Sequence, residues 1–441
     1  MEKYFHSVTL DKKKCKGCIN CIKRCPTEAI RVRNGKAKII KERCIDCGEC
    51  IKVCPYSAKT AKTDQFENIL KFEYKIALPA PTLYGQFKTL KDVNVVLTGL
   101  LNLGFDEIFE VARGADIISD ATRKLMETNR LQKPVLGTAC PACLRLIKIR
   151  FPQLIPNLLP LLSPMDVVGK MAREQAMQKT GLPSEKIGIF FISPCAAKVT
   201  AVKAPLGVDS VGIDGVLSMN DIYKRLAPRI SKITHVQPIA KARDLGIGWA
   251  KSGGESAALE PLEIISVDGI DNVISVLEQL ENNRIDNVDF IELNACVGGC
   301  VGGPLTIENS FIAKSKIKKI QDYMNEKYEK MPLDVYSDED VCVKKAIEYE
   351  PILKLDDDFI EAMRKMESME KIAKDLPGLD CGSCGAPSCH ALAEDIVRGF
   401  GSEGDCIFKL RERISAFDQK TMEPEEYLPP PFRTEKGEGS R

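Results

Sequence analysis

The sequence predicts an α/β core of largely parallel strands, preceded by a small α+β domain and followed by a small cysteine-rich module. Three observations carry this. Between about residues 70 and 310, short apolar runs alternate with segments whose apolar residues recur three and four apart, as strands separated by amphipathic helices do. Ahead of that region a twelve-residue cysteine pattern is written twice, and beyond it four more cysteines gather between residues 381 and 406.

Composition sets the bounds. A chain of 441 residues implies two to four domains. With 63 Lys+Arg against 62 Asp+Glu the net charge is +1, so neither nucleic acid nor an anionic membrane is expected as a partner. The N-terminal "MEKYFHSVTLDKKK" has no apolar signal region, and "FPQLIPNLLPLLSPM" is too short and too proline-broken to span a bilayer. A cytoplasmic protein is therefore expected. Its 18 cysteines against 3 histidines argue against mixed Cys/His zinc sites, and a chain of this kind is not a secreted disulfide scaffold. Soft all-thiolate ligation of iron-sulfur clusters is the expectation.

The first element, residues 1–62, carries "CKGCINCIKRCP" at 15–26 and "CIDCGECIKVCP" at 44–55, each a C-x2-C-x2-C-x3-C-P run. Three close thiolates wrap one cluster, while the fourth of each run ligates the other. This predicts a two-cluster ferredoxin-like domain. Cys15, Cys18, Cys21 and Cys54 are assigned to one 4Fe-4S cluster, and Cys44, Cys47, Cys50 and Cys25 to the second. Zinc knuckles would need only C-x2-C pairs, not a third cysteine and a proline at these offsets. The chain therefore handles single electrons.

In the second element, residues 63–310, the expected strands are "YKIALPA", "EIFEV", "KPVLG", "KIGIFFI", "LEIISV" and "VDFIEL". Helices are expected over "ADIISDATRKLMETNR", "PMDVVGKMAREQAMQKTG" and "GIDNVISVLEQLEN". Cys140, Cys195, and Cys296 with Cys300 all follow the carboxyl ends of predicted strands, the edge at which open α/β sheets bind ligands. Singly, each is as well explained as a small buried hydrophobe. Together they suggest one further 4Fe-4S cluster.

Here the chain resembles the iron-only (diiron) hydrogenases, over roughly residues 1 to 310. "TACPAC" is similar to the family's Ser-Cys-Cys-Pro-x-Trp, "SPCAAK" to its Met-Pro-Cys-x-x-Lys, and "ELNACVGGCVGGP" to its third signature. The resemblance implies a two-lobed catalytic core binding an H-cluster, a 4Fe-4S cubane joined to a diiron unit with CO, cyanide and dithiolate ligands. It implies that Cys140, Cys195, Cys296 and Cys300 ligate the cubane, that Cys300 bridges to the diiron unit, and that Lys198 donates to a cyanide. Glu292, Gly299 and Gly302 match the third signature, and glycines there let backbone approach a cofactor closely. "SGGESAAL", from Ser252, weakly resembles a family stretch lining the same cavity.

The departures shape the expected activity. Ala139 stands where the family carries a proton-passing cysteine, so turnover should fall although hydrogen binding need not. Ser193 and Asn294 replace two methionines, which implies a more polar surround. Cys143, at the family's tryptophan position, is a substitute proton carrier or an inert buried thiol.

The last elements are a charged helical connector over 311–375, in which Cys342 is read as structural, a module over 376–412, and a Pro-rich tail over 413–441 expected to be disordered. Cys381, Cys384, Cys389 and Cys406, spaced C-x2-C-x4-C-x16-C, suggest a fourth 4Fe-4S cluster, with zinc as the lesser option. His390 is read as a surface helix start. The reading is of a slow hydrogenase homologue in a hydrogen- or redox-sensing role, similar to a divergent sensory branch of the family. It would act on H2 and protons, exchange electrons with a protein such as ferredoxin, require diiron maturation proteins, and report to a separate signalling protein. The alternative is an iron-sulfur carrier or scaffold lacking the diiron unit.

Overall fold

A computed structural model of the protein describes residues 5–328, 331–352 and 354–417. The chain divides into two compact units, one of residues 1–9, 44–52 and 59–350, the other of residues 10–43, 53–58 and 351–441. This division runs through the N-terminal repeat, so the expected 1–62 domain does not coincide with either unit.

The first unit is α/β. Its strands in this region are β1 (Tyr74–Pro79), β2 (Glu107–Ile108), β3 (Val135–Leu136), β4 (Ile187–Ser193), β5 (Gly215–Ser218), β6 (Ile264–Asp268) and β7 (Phe290–Asn294). Four of them form a parallel sheet in the order β2-β1-β4-β5, and three form a second parallel sheet in the order β6-β7-β3. All seven residues of β4 are buried, as expected of a central parallel strand covered on both faces.

The six expected strands are all present, some shorter than their apolar runs. "EIFEV" contributes only Glu107–Ile108, because Glu110 turns inward, accepts from the Lys241 and Ala242 amides and from the Tyr84 hydroxyl, and starts a helix at Val111. The expected helices lie at Val111–Glu127, Pro164–Thr180 and Ile270–Glu281. The second begins with a capping box of Ser163 and Asp166 and ends at a left-handed Gly181, both standard helix signals. Helices Val93–Leu101 and Met219–Ile230, and strand β5, were not expected.

The expected connector over 311–375 holds two long helices belonging to different units, with the short helix Asp338–Val341 between them in sequence. Ser310–Lys327 buries Ala313, Ile317, Ile320 and Met324 in the core of the first unit. Phe359–Asp375 places Met369 with Leu376, Ala391 and Leu392 in a separate small core of the second. Cys342 makes an isolated bridge with Leu161 in the first unit, in keeping with a structural role.

Within the second unit, an antiparallel hairpin pairs Ile30–Arg33 with Lys36–Ile39. The Val32 amide donates to the Gly385 carbonyl at 2.8 Å, which holds the loop of the C-terminal cysteines against that strand. Buried Asp395 binds Arg31 and Arg33, and buried Glu394 binds Arg43 and Arg398. Of the expected tail, residues 413–417 continue the helix Ile407–Phe417, and 418–441 lie outside the described residues. Among the described residues no helix is long and apolar enough to cross a membrane.

Candidate metal centre

Three strand ends build the centre. Cys140 caps the helix Pro141–Arg150 just after β3, Cys195 caps the helix Ala196–Lys203 two residues after β4, and Cys296 lies two residues after β7. Cys300 follows on the turn Cys300–Gly302. The four sulfurs act on one another electrostatically, those of Cys140, Cys195 and Cys300 each raising the Cys296 thiol, so four cysteines spread over 161 positions, from 140 to 300, converge.

Lys198 enters this group from the first turn of its helix, three residues after Cys195. Its amide donates to the Cys195 sulfur at 3.4 Å, and its ammonium donates to the Cys300 sulfur at 3.5 Å. Burial works against the charge, but the Cys300, Cys195 and Cys140 sulfurs outweigh it and hold the ammonium well above the usual lysine value. The cation is thus fixed at neutral pH.

The thiols are unequal. A hydrogen bond from Cys143 leads the effects that bring Cys140 down to about 5, with Lys198 and the Ala295 and Cys143 amides adding to it, whereas burial leads those that push Cys195 up to about 11 and Cys296 higher still. Cys143 itself is fully buried, lies outside the lining of the adjoining cavity, and is pushed well up by its bond to Cys140 and by burial. It holds the Cys140 thiolate; a proton carrier would need to face the cavity.

That cavity is lined by Ala139, Cys140, Lys198, Glu292, Asn294 and Cys300, and by the apolar Phe191, Met165 and Trp249. Ala139 faces it with a methyl group alone. Thr82 and Glu255 also line it; Thr82 was missed from the sequence, and Glu255 lies in the "SGGESAAL" stretch expected at the cavity but was not singled out within it. The Thr82 hydroxyl is buried without a hydrogen-bond partner among the described residues, which leaves one donor free for an acceptor in the cavity. Glu255 is 6% exposed; burial first, then the Glu292 charge, pushes its carboxyl well above the usual range.

Glu292 is held by four donors: the Gly253 amide at 3.0 Å, the Ser256 amide at 2.9 Å, the Ser256 hydroxyl at 2.7 Å and the Asn294 amide group at 2.7 Å. Asn294, two residues on and therefore on the same face of β7, both lines the cavity and steadies Glu292. Ser193 does not line it; its hydroxyl is spent on the Cys195 backbone, accepting from the amide and donating to the carbonyl. Gly299 adopts φ +87°, and a Cβ there would lie 2.3 Å from the Ser252 amide nitrogen. Gly302 allows the turn to close on the Val297 carbonyl.

Cys44, Cys47 and Cys50, the first three cysteines of the second run, lie in the same unit as this centre. Lys52 is raised because Cys296, Glu49 and Cys47 outweigh its burial, and the Cys47 sulfur also acts on Cys143. In the second unit, the Cys54 sulfur accepts from the Ala58 amide and the Cys25 sulfur from the Ala29 amide, both at 3.2 Å. These two bonds repeat at an offset of 29 residues, as the cysteines themselves do. The Cys15 sulfur accepts from Ala37 at 3.5 Å. Cys384 is raised by burial and by neighbouring Cys381 and Cys406, while the Cys389 amide donates to Asp380. His390 is exposed at the start of its helix.

Known protein families match three stretches of the chain. The family described as iron only hydrogenase large subunit, C-terminal domain, matches residues 73–260 and 250–304. A 4Fe-4S dicluster domain matches residues 7–55, and an iron-sulfur cluster domain matches 376–408. Iron hydrogenase 1 of Clostridium pasteurianum is 27% identical over 394 residues, covering 71% of this chain and 68% of its own. The periplasmic hydrogenase large subunit of Nitratidesulfovibrio vulgaris is 27% identical over 212 residues, covering 44% of this chain and 50% of its own. The cytosolic Fe-S cluster assembly factor NAR1 of Coccidioides immitis is 29% identical over 112 residues, 25% of this chain and 18% of that protein.

Proposed function

Because the chain belongs to the iron-only hydrogenase family, we propose that it holds an H-cluster and interconverts hydrogen with protons and electrons, slowly, in a hydrogen- or redox-sensing role. One observation carries the reading: four thiols and a buried cation meet beside a cavity that also holds an unspent hydroxyl donor, Thr82. Such a donor set suits a cubane that Cys140, Cys195, Cys296 and Cys300 would hold, with Cys300 as the thiolate a diiron unit would share and Lys198 and Thr82 as donors that would suit its anionic ligands. When bound, the diiron unit would supply the site at which hydrogen is split or formed.

The chain's own residues do the rest. Lys198 supplies fixed positive charge, and Phe191, Met165 and Trp249 keep bulk water out. The run containing Cys47 supplies the nearest relay for electrons, which a ferredoxin-like partner would deliver or accept. Ala139 has no proton to give, which supports slow turnover, and a sensing role would pass the result to a separate signalling protein.

The test is infrared spectroscopy of protein co-expressed with diiron maturation proteins. Bands of bound CO and cyanide are expected. A fully loaded cubane without those bands would favour the carrier or scaffold reading, toward which the partial likeness to NAR1 points.

A further inference from the structure

We propose that Cys140 and Cys143 form a reversible disulfide in the metal-free protein, a peroxide-oxidised state that withholds Cys140 from the cubane until a thiol reductant returns it. This rests on the reading above, in which Cys140 is a cubane ligand.

The pair has the placement of a redox dithiol. The sequence Cys-Pro-Ala-Cys makes Cys140 the cap of the helix Pro141–Arg150, with Pro141 as its first residue and Cys143 one turn on from the cap. Residues three apart at a helix start are neighbours, and a hydrogen bond already joins these two sulfurs. Their access differs. Cys140 lines the cavity, whereas Cys143 is fully buried and lies outside the lining. An oxidant in the cavity therefore meets Cys140 first, with Cys143 behind it. A helix start beside a lysine favours the thiolate, and the Cys140 thiol, brought down to about 5 chiefly by the Cys143 hydrogen bond, has the same sense.

No other proposed cubane ligand is placed in this way. Cys195 caps the helix Ala196–Lys203, which contains no second cysteine. Cys296 and Cys300 are separated by Gly298 and Gly299, both at positive φ, and the Cys300 sulfur accepts from the Lys198 ammonium. Burial pushes the Cys195 and Cys296 thiols up, so neither is the thiolate that attacks an oxidant at neutral pH.

The step balances with hydrogen peroxide as the oxidant. The Cys140 thiolate attacks one peroxide oxygen; an S–O bond forms, the O–O bond breaks, and hydroxide leaves. The Cys143 sulfur then attacks the Cys140 sulfur. The S–S bond forms, the S–O bond breaks, and the departing hydroxide takes the Cys143 proton and leaves as water. The two sulfurs lose two electrons and the peroxide gains them, and a dithiol reductant later returns two electrons and two protons. A sulfenic acid with no second thiol beside it is open to further oxidation to sulfinic acid, which thiols do not reverse. Cys143 thus keeps the ligand recoverable.

The experiment uses the full-length protein, stripped of iron anaerobically with a chelator, treated with hydrogen peroxide, alkylated with iodoacetamide and digested with trypsin. Residues 131–145 are released as one peptide whose only cysteines are Cys140 and Cys143. In wild type, mass spectrometry should find this peptide two hydrogens lighter and unalkylated, and dithiothreitol given before alkylation should restore both alkylation sites. In Cys143→Ser, which keeps a hydrogen-bond donor beside Cys140, the peptide should instead carry sulfinic or sulfonic acid at Cys140, and dithiothreitol should not recover the thiol. Cys143 still alkylated in peroxide-treated wild type, Cys140 bridged to a different peptide, or Cys140 lost equally in both proteins would overturn the proposal. The disulfide is read without any metal, whereas the CO and cyanide bands need the diiron unit, so failure of the switch and failure of the H-cluster reading are told apart.

Discussion

Replacing Lys198 with methionine keeps most of the length of the side chain and removes its charge. The ammonium lies 3.5 Å from the Cys300 sulfur. At an effective dielectric of about 20, unit charges at that separation attract by roughly 5 kcal/mol. Desolvation offsets part of this, and removing one partner of a buried pair typically costs about 3–5 kcal/mol. Taking the lower end, because cubane charge is spread over four thiolates, Lys198→Met should hold its cluster roughly a hundredfold more weakly. The assay is anaerobic iron retention against a chelator, read from the iron-sulfur absorbance. Burial lowers the Lys198 pKa, but the Cys300, Cys195 and Cys140 sulfurs outweigh that and raise it above 10.5. A raised lysine contributes fully below its unfolded value and loses that contribution only as pH climbs through the folded one. The gap between wild type and variant should therefore be flat from about pH 6 to pH 9. Equal chelator midpoints, or a gap that closes within that window, would refute the electrostatic role assigned to this lysine.

Three further outcomes follow from the same geometry. Cys195 at about 11 and Cys296 above it are protonated in the metal-free protein at neutral pH, so cubane insertion should release at least their two protons, measured with a pH dye in weak buffer. Cys140, lowered to about 5, should add none. Gly299→Ala forces a Cβ to 2.3 Å from the Ser252 amide nitrogen at a positive φ, and should lower the thermal midpoint and the iron content together. Ala139→Cys should raise hydrogen evolution of the matured protein by about a hundredfold or more, assayed by gas chromatography, since it restores a proton donor on the cavity wall.

The cubane ligands were legible because each cysteine follows an apolar run with glycine or proline around it, and chain order fixes which strand end it occupies. Lys198 was legible only through its match to the Met-Pro-Cys-x-x-Lys signature; the structure then puts it one helical turn from Cys195. Glu255 was not, because nothing in "SGGESAAL" says which side chain turns inward. That depends on Gly254 lying where a Cβ would be 2.0 Å from the Gly248 carbonyl oxygen, a tertiary approach with no local signal. Thr82 was hidden for a similar reason, a small polar residue following Ala-Pro in an otherwise apolar stretch. Strands β2 and β3 are each two residues long, shorter than the apolar runs that announce them, since burial extends beyond pairing. The polarity expected from Ser193 is absent from the cavity because its hydroxyl satisfies the bend into Cys195.

The site therefore differs from a simple loss of function at Ala139. A cavity that had only lost its proton donor would leave apolar groups around the gap. Instead it carries a buried carboxyl, Glu255, whose desolvation is not offset by any hydrogen bond among the described residues. Leaving such a group unpaired costs about 1–3 kcal/mol, and an apolar residue of similar size would avoid that cost. A fold tolerates the expense where the group has work to do, and a strained or unsatisfied residue lining a cavity is where such work is found. If Glu255 were only tolerated, Glu255→Leu would stabilise the protein and leave proton delivery unchanged. If it holds a proton for the cavity, the same substitution raises the thermal midpoint while slowing hydrogen evolution in the matured protein. That opposite movement of stability and activity separates the two.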